Sequence, residues 1–385
     1  LFQRYTRLFA EHIVRIVTQN IQAGYGFCNC NRRWIMPAKI IGTGSALPGL
    51  VVTNKELEQI MDTTDEWISS RTGIRKRHIA VEETTTSMAI KASETAVKKA
   101  GIRPEEIDLI IVGTVSGDKY FPSTACQIQE ALSAQNAVAF DVNAACAGFL
   151  FGMTIADAYF QAGRADTALI VGAETLSKMV DWKDRSTCVL FGDGAGAAVV
   201  RKEDSGILHI VQGADGARGS ALSCDSRPVN SPFARKPFTK EFFAADSLSE
   251  GSCADKPFRK DFYADPLPAP DYLKMDGQEV FRFAVRTVPK AVQQVLAEAG
   301  ILPDEVKYFF LHQANIRIIE AVAKKLAQPM EKFPTNLQRC GNISAASVPI
   351  LLDHVNREGN LQKGDKIVLA GFGAGLTWGA AVLTW

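Results

Sequence analysis

Ala139-Phe-Asp-Val-Asn-Ala-Ala-Cys-Ala-Gly-Phe-Leu-Phe-Gly-Met-Thr-Ile-Ala-Asp-Ala-Tyr-Phe160 is the stretch on which the fold turns. Val138 to Val142 is a short apolar run of the kind that forms a strand. Gly148 to Phe160 is apolar nearly all the way round, which predicts a buried helix. Between them sits Cys146, flanked only by Ala144, Ala145, Ala147 and Gly148, so another segment or a substrate can come close to the sulfur. A thiol at the first turn of a helix feels free N–H groups and a partial positive charge, which favour the thiolate. That would make a nucleophile without a metal. Free cysteine is also among the most buried residue types. On this stretch alone, nucleophile and small core filler stand level.

Outward from this unit the chain repeats itself. Ala100-Gly-Ile-Arg-Pro-Glu-Glu-Ile-Asp-Leu-Ile-Ile-Val-Gly113 is matched, 199 positions later, by Ala299-Gly-Ile-Leu-Pro-Asp-Glu-Val-Lys-Tyr-Phe-Phe-Leu-His312. Strand Thr167–Val171 and the turn Phe191-Gly-Asp-Gly-Ala-Gly are answered by strand Lys366–Ala370 and Gly371-Phe-Gly-Ala-Gly. Strands alternating with helices in two copies predict a duplicated α/β unit. Asn342 lies 196 residues after Cys146 and also opens an apolar helix. A pseudo-twofold axis would set the two at equivalent helix starts, facing each other. His312 ends the strand that answers Ile110–Gly113, and ligands gather beyond the carboxyl ends of such strands. A lone strand-end His is usually structural; the repeat is what brings this one toward Cys146 and Asn342.

Composition narrows the function. The chain has 385 residues, 46% apolar content and a formal net charge of +1, so nothing suggests nucleic-acid binding or an acidic tail. No apolar run is long enough to span a membrane. Eight scattered Cys in a chain this long fit a reducing compartment, and Cys28-Asn-Cys30 lacks the partners of a zinc site. The Phe191 turn lacks the G-x-G-x-x-G spacing and leads into a strand-like run, so it does not read as a dinucleotide site. Residues 1–35 are Arg-bearing and acid-poor with an amphipathic pattern, as in an organelle transit peptide; an ordinary surface helix and upstream translation before Met36 are the alternatives. Four segments follow: this leader, an N-terminal half over 36–222, an insertion over 223–272 and a C-terminal half over 273–385. The insertion holds 7 of the 16 Pro, which argues against a regular core element and for a mobile surface excursion.

Seven motifs then carry a resemblance over the chain from Ala38 onward. They are Asp65-Glu-Trp-Ile with Arg71-Thr-Gly-Ile-Arg, Phe121-Pro-Ser-Thr-Ala-Cys-Gln, Ala144-Ala-Cys-Ala-Gly-Phe, Phe191-Gly-Asp-Gly-Ala-Gly, His312-Gln-Ala-Asn-Ile-Arg, Gly341-Asn-Ile-Ser-Ala-Ala-Ser and Gly371-Phe-Gly-Ala-Gly-Leu-Thr-Trp-Gly. In these the chain resembles β-ketoacyl-acyl carrier protein synthase III, within the thiolase-like condensing enzymes. Val180–Arg185, Met275–Ala284 and the insertion look more like plastid than bacterial members. The resemblance implies a five-layer αβαβα sandwich, a homodimer, no bound cofactor and no metal. It also implies a plastid-type organelle for a eukaryotic source and the cytoplasm for a bacterial one.

The same resemblance assigns roles. Cys146 takes acetyl from acetyl-CoA, and malonyl-acyl carrier protein is then decarboxylated with His312 and Asn342 as donors to the enolate. Backbone N–H groups of Cys146 and Ala374 form the oxyanion hole, and Phe372 keeps the site dry. Gly is frequent in the family where this chain has Ala374; a backbone donor survives that change. Trp67, Arg71, Arg185, Gly277 and Asn315 match coenzyme A contacts. Phe121 matches the residue that reaches across the dimer to shorten the acyl pocket. Arg282, Arg317, Lys324 and Lys325 match the basic face that meets the carrier protein. Rival readings are a polyketide-starter, alkylquinolone-type or hydroxymethylglutaryl-CoA-type synthase, the last needing a catalytic Glu for which the sequence offers no placed candidate. A Cys–His hydrolase and a non-catalytic scaffold are the others.

Overall fold

A computed structural model of the chain describes residues 38–204, 208–226 and 272–385. The leader, Cys28-Asn-Cys30 and nearly all of the insertion lie outside those residues, as do the expectations attached to them.

The strands are β1 (Ala38–Ala46), β2 (Leu50–Thr53), β3 (Lys76–Ile79), β4 (Leu109–Gly113), β5 (Val138–Val142), β6 (Thr167–Thr175) and β7 (Asp193–Lys202) in the first part of the chain. β8 (Leu208–Ala214), β9 (Leu222–Ser223), β10 (Lys274–Met275), β11 (Val306–Leu311), β12 (Lys366–Gly373) and β13 (Thr377–Thr384) follow. The principal helices are α1 (Asp65–Thr72), α2 (Thr85–Ala100), α3 (Thr124–Leu132), α4 (Gly148–Gln161), α5 (Gly277–Ala299), α6 (Ile316–Lys325) and α7 (Ser347–Arg357).

One sheet has the order β1-β7-β6-β4-β5 and the other β11-β12-β13-β8. β4, β5 and β6 run parallel, as do β11 and β12, while β7 and β13 turn back antiparallel. β4 and β6 are buried along their whole length because both faces of the sheet are covered. In β4, Leu109 and Ile111 point into the central core and Ile110 and Val112 into the outer one. The central core holds α4 and α7 between the two sheets, through Phe149, Leu150 and Met153 on one and Val348, Leu351 and Leu352 on the other. α2 and α3 cover the outer face of the first sheet, α5 and α6 that of the second. The result is the expected five-layer αβαβα thiolase-like sandwich. Phe149 is 1% exposed at its centre, and cutting such a side chain to Ala costs about 3–5 kcal/mol.

The duplication is visible in detail. α2 and α5 both stop at the glycine of an Ala-Gly-Ile sequence, Gly101 at φ +66 and Gly300 at φ +69, where a left-handed residue ends the helix. A single 3-10 turn opening on Pro104 or Pro303 then leads into β4 or β11. Two expectations need correction. β8 pairs antiparallel with β13, so residues 208–214 belong to the second sheet and the halves part before residue 208 rather than at 222. The 196-residue offset between Cys146 and Asn342 also joins different positions of the repeated turn. Ala145 and Ser344, 199 apart, share φ +44 and each opens a 3-10 turn ahead of a central helix. Cys146 therefore corresponds to Ala345, and Asn342 to Asn143.

Candidate active site

The strand ends and central helix starts meet around one cavity. It is lined by Cys146, His312, Asn342, Phe372 and Gly373, with Gly277, Val280, Phe281, Asn315 and Ile318 from α5, α6 and their starts. Leu190, Phe191, Leu222, Met275 and Ala314 complete it. The three polar residues singled out from sequence are thus brought together, and all three are buried.

Cys146 lies in the 3-10 turn Ala145–Ala147, one step ahead of α4 rather than inside its first turn. Its placement depends on glycine. A Cβ on Gly373 would stand 2.6 Å from the Cys146 amide nitrogen, and one on Gly371 would stand 3.4 Å from its carbonyl oxygen and 3.8 Å from the His312 Cβ. The expectation of a resting thiolate does not hold. Burial pushes the Cys146 thiol up to about 12, the Ser344 hydroxyl works against that rise and the Glu174 carboxyl adds to it. A helix end supplies roughly 0.3–1 kcal/mol, less than one pKa unit, and is overruled by the loss of solvent. The resting group is a thiol.

His312 closes β11, its N–H donating to the Ala370 carbonyl at 2.8 Å. Burial alone drives its pKa down to about 3, so the ring is neutral at ordinary pH. Its Nδ1 has no hydrogen-bond partner among the described residues, and the ring meets Phe372 edge-on at 5.4 Å between centroids. The Asn342 backbone is pinned by its N–H to the Leu190 carbonyl at 2.9 Å and by its own carbonyl, which accepts from Gly192 N–H at 3.0 Å. Its side-chain Oδ1 accepts from Ser344 N–H at 2.9 Å. With the oxygen engaged, the amide NH2 is the end left to act as a donor toward the cavity.

Ala374 follows Gly373 on the loop between β12 and β13. The Thr377 hydroxyl donates to the Ala144 carbonyl at 3.1 Å and to the Ala374 carbonyl at 3.0 Å, tying the two loops that carry the expected oxyanion donors. Sequence reasoning passed over Thr377. Outside the cavity lining, the guanidinium carbons of Arg71 and Arg185 lie 4.8 and 5.2 Å from the centre of the Trp67 ring. The Asn315 side chain caps α6 by accepting from Arg317 N–H at 2.9 Å, and donates to the Arg71 carbonyl at 3.0 Å. Asn315 thus joins the cavity lining to this aromatic–cationic cluster.

Over residues 140–216 the chain matches the family described as 3-oxoacyl-[acyl-carrier-protein (ACP)] synthase III, and over 296–385 the C-terminal part of the same family. It is 45% identical over 348 residues to the β-ketoacyl-[acyl-carrier-protein] synthase III of Clostridium acetobutylicum, covering 90% of this chain and 98% of that enzyme. The chain belongs to the β-ketoacyl-acyl carrier protein synthase III family.

Among solved structures, the synthase III of Aquifex aeolicus VF5 is 43% identical, with a TM-score of 0.77 over 90% of this chain and 100% of that one. The priming β-ketosynthase from the R1128 polyketide biosynthetic pathway is 34% identical, with a TM-score of 0.78 over 91% of this chain and 96% of that one. The two synthase III relatives named are bacterial, and neither supports a plastid-type affinity. For a synthase III the remaining expected residues fall outside the cavity. Phe121 is 86% exposed and is not among the residues lining this cavity. Arg282, Arg317, Lys324 and Lys325 are exposed. Arg282 pairs with Glu279 at 2.9 Å, the Arg317 guanidinium donates to the Ser70 carbonyl at 2.9 Å, and Lys325 donates to the Val285 carbonyl at 2.7 Å.

No helix among the described residues is long and apolar enough to cross a membrane, and no His, Cys, Asp or Glu group among them is placed to hold a metal ion. His209 is 5% exposed and pairs with Glu298 at 2.8 Å. Its alternating strand β8 packs against β13, which the local pattern alone did not reveal.

Proposed function

We propose that this protein is the initiating condensing enzyme of fatty acid synthesis, joining an acetyl group from acetyl-CoA to malonyl-acyl carrier protein with loss of CO2. The observation that carries the reading is the shared buried cavity of Cys146, His312 and Asn342, in a chain of this family.

The Cys146 sulfur attacks the acetyl-CoA carbonyl and coenzyme A departs, leaving acetyl-Cys146 and splitting a hard condensation into two easier steps. Malonyl-acyl carrier protein follows into the same cavity. Loss of CO2 leaves an enolate, whose oxygen takes hydrogen bonds from His312 Nε2–H and the Asn342 amide. Both donors are neutral, so they stabilise developing charge without protonating the carbanion. The neutrality of His312 follows from its burial. The carbanion attacks acetyl-Cys146, the tetrahedral oxyanion rests on the N–H groups of Cys146 and Ala374, and acetoacetyl-acyl carrier protein leaves. Each such preorganised donor is worth on the order of 3 kcal/mol of barrier. Phe372, packed edge-on to His312, keeps water from the decarboxylation step.

Trp67, Arg71 and Arg185 form the mouth for coenzyme A: an indole stacks on a base and guanidinium pairs with phosphate. Gly277 and Asn315 line the way in for the pantetheine arm. Arg282, Arg317, Lys324 and Lys325 give a basic face around that mouth for the acidic carrier protein. The working unit is a homodimer. Among the described residues β5 is an edge strand of its sheet, Val138 on it is 52% exposed, and Tyr120 and Phe121 are 84% and 86% exposed. An open edge flanked by large apolar side chains suits a second copy of the chain, whose Phe121 would then bound the acyl pocket. A bacterial cytoplasm fits the relatives named above.

The test is mass spectrometry of the intact protein after acetyl-CoA, then after malonyl-acyl carrier protein. An acetyl adduct on Cys146 that chases into acetoacetyl-acyl carrier protein supports the reading. Release of free acetate would point to a Cys–His hydrolase, and no adduct to a scaffold. The likeness to a priming β-ketosynthase favours one second reading, a polyketide starter enzyme. Preference between a fatty-acid and a polyketide carrier protein separates the two.

A further inference from the structure

Arg77, in β3, is fully buried at 0% exposure and has no part in the mechanism derived above. Its Nη2 donates to the Val189 carbonyl at 2.7 Å. Its Nη1 donates to Asn54 Oδ1 at 2.8 Å and to the Val52 carbonyl at 3.3 Å, and Nε has no partner among the described residues. All three acceptors are neutral, and among the described residues no carboxylate pairs with the guanidinium. Burial pulls its pKa down to about 10, so it stays charged near neutral pH. A buried cation without a counter-ion is expensive to keep. This one clamps the start of the chain, at Val52 and Asn54, to the remote residue Val189.

The clamped segment leads directly to Asn342. The Leu190 carbonyl, next to Val189, accepts the Asn342 N–H at 2.9 Å, and Gly192 N–H donates back to the Asn342 carbonyl at 3.0 Å. Phe191 and Asn342 thereby form an isolated parallel bridge, outside either large sheet. The Arg77 side chain is packed against both sides of that bridge. A Cβ on Gly192 would stand 3.2 Å from the Arg77 Cβ, and one on Gly341 would stand 3.3 Å from it. Two residues earlier, Arg75 N–H donates to the Gln338 carbonyl at 3.2 Å, in the short helix Leu337–Cys340 that precedes Asn342. His312 is held differently, by Ala370 of β12 at the end of a regular strand. Of the two enolate donors, only Asn342 depends on a bridge that Arg77 supports.

We propose that Arg77 is a positioning residue for the decarboxylation step: its guanidinium fixes Val189–Gly192, and that segment holds the Asn342 amide toward the enolate. The inference rests on the condensing reading above, in which Asn342 serves the second half of the reaction. Acetyl transfer uses the Cys146 sulfur and the N–H groups of Cys146 and Ala374. Those lie on the turn before α4 and the loop after β12, and no hydrogen bond of Arg77 reaches either. Loss of the clamp should therefore divide the two half-reactions. Lys cannot replace it, because a single ammonium lacks the planar fork that meets Val189 and Asn54 together.

The experiment compares wild type, Arg77→Lys and Arg77→Met, alone and combined with Asn342→Ala or His312→Ala. Acetyl transfer from acetyl-CoA is read by intact mass, and condensation as CO2 released from malonyl-acyl carrier protein per acetylated enzyme. The acetyl adduct counts only competent molecules, so partial unfolding of a variant does not enter the second readout. Arg77→Lys keeps the charge and most of the buried stem, and serves where Arg77→Met folds poorly. Both should accept acetyl at the wild-type rate while condensation per acetylated enzyme falls about 10–10²-fold, as for a misplaced catalytic group. That fall should disappear in the Asn342→Ala background, where there is no amide left to misplace, and persist in His312→Ala. An equal loss in both half-reactions, or the same fall with and without Asn342, would show a merely structural arginine and overturn the proposal. Wild type that takes no acetyl, or Asn342→Ala that condenses normally, would reject the condensing reading itself and the proposal with it.

Discussion

The turns Ala145–Ala147 and Ser344–Ala346 are two copies of one piece of backbone, put to different uses. Each begins at φ +44, each feeds a central helix, and each rests on a strand glycine, Gly371 or Gly172. Yet the first carries the sulfur where the second has Ala345, and the second carries buried Asn342 where the first has exposed Asn143. His312 answers Gly113, and Glu174 answers Gly373. Duplication supplied two equivalent platforms, and the chemistry arose from making their side chains differ. Each copy is half a site.

That asymmetry can be broken by substitution. Cys146→Ser should cause the largest loss: no acetyl adduct by intact mass and condensation down by at least roughly 10³-fold, as for a removed nucleophile. His312→Ala and Asn342→Ala come next. Each should retain the acetyl adduct while condensation, followed as CO2 release, falls about 10²–10³-fold. Normal condensation in either would remove that residue from the decarboxylation step.

A paired experiment sharpens the comparison. Gly373→Ala and Gly172→Ala each force a Cβ into a turn, 2.6 Å from the Cys146 nitrogen or 2.2 Å from the Ala345 oxygen. Each should cost about 1–3 kcal/mol in urea unfolding. Only Gly373→Ala should also slow acetylation out of proportion to its stability.

The smallest effect is in the pH dependence of stability. Glu174 is lifted from 4.5 to about 7 on folding, so between those values the native state holds a proton that the unfolded chain has lost. Its contribution is present below 4.5 and fades as pH rises to 7. His312 is depressed from 6.5 to about 3, so its stability contribution is present above 6.5 and is lost as pH falls toward 3. Urea midpoints at pH 5 and pH 8 should show Glu174→Gln gaining relative to wild type at the higher pH. An equal difference at both would show that Glu174 keeps an ordinary carboxyl pKa.

Much of this arrangement was legible beforehand. The Ala-Gly-Ile repeat marked both helix ends, and the unbroken apolar run of β4 identified a strand covered on both faces. The membership of β8 was missed, although Ile210-Val211 followed by Gly213 echoes Ile40-Ile41-Gly42 at the head of the first half. Strand pairing of that kind is settled between distant segments, and a short Ile/Val–Gly pattern does not name its partner.

Residue order by itself determined the duplicated α/β unit and singled out Cys146, His312 and Asn342, because periodicity and repetition are properties of order along the chain; the five layers were implied by the family resemblance. Only the tertiary structure decided that Cys146 rests as a thiol, that His312 is neutral, and that Glu174 is fully buried. Those depend on how much water is removed and on which groups from remote segments fill the space, and neither quantity is written in local sequence.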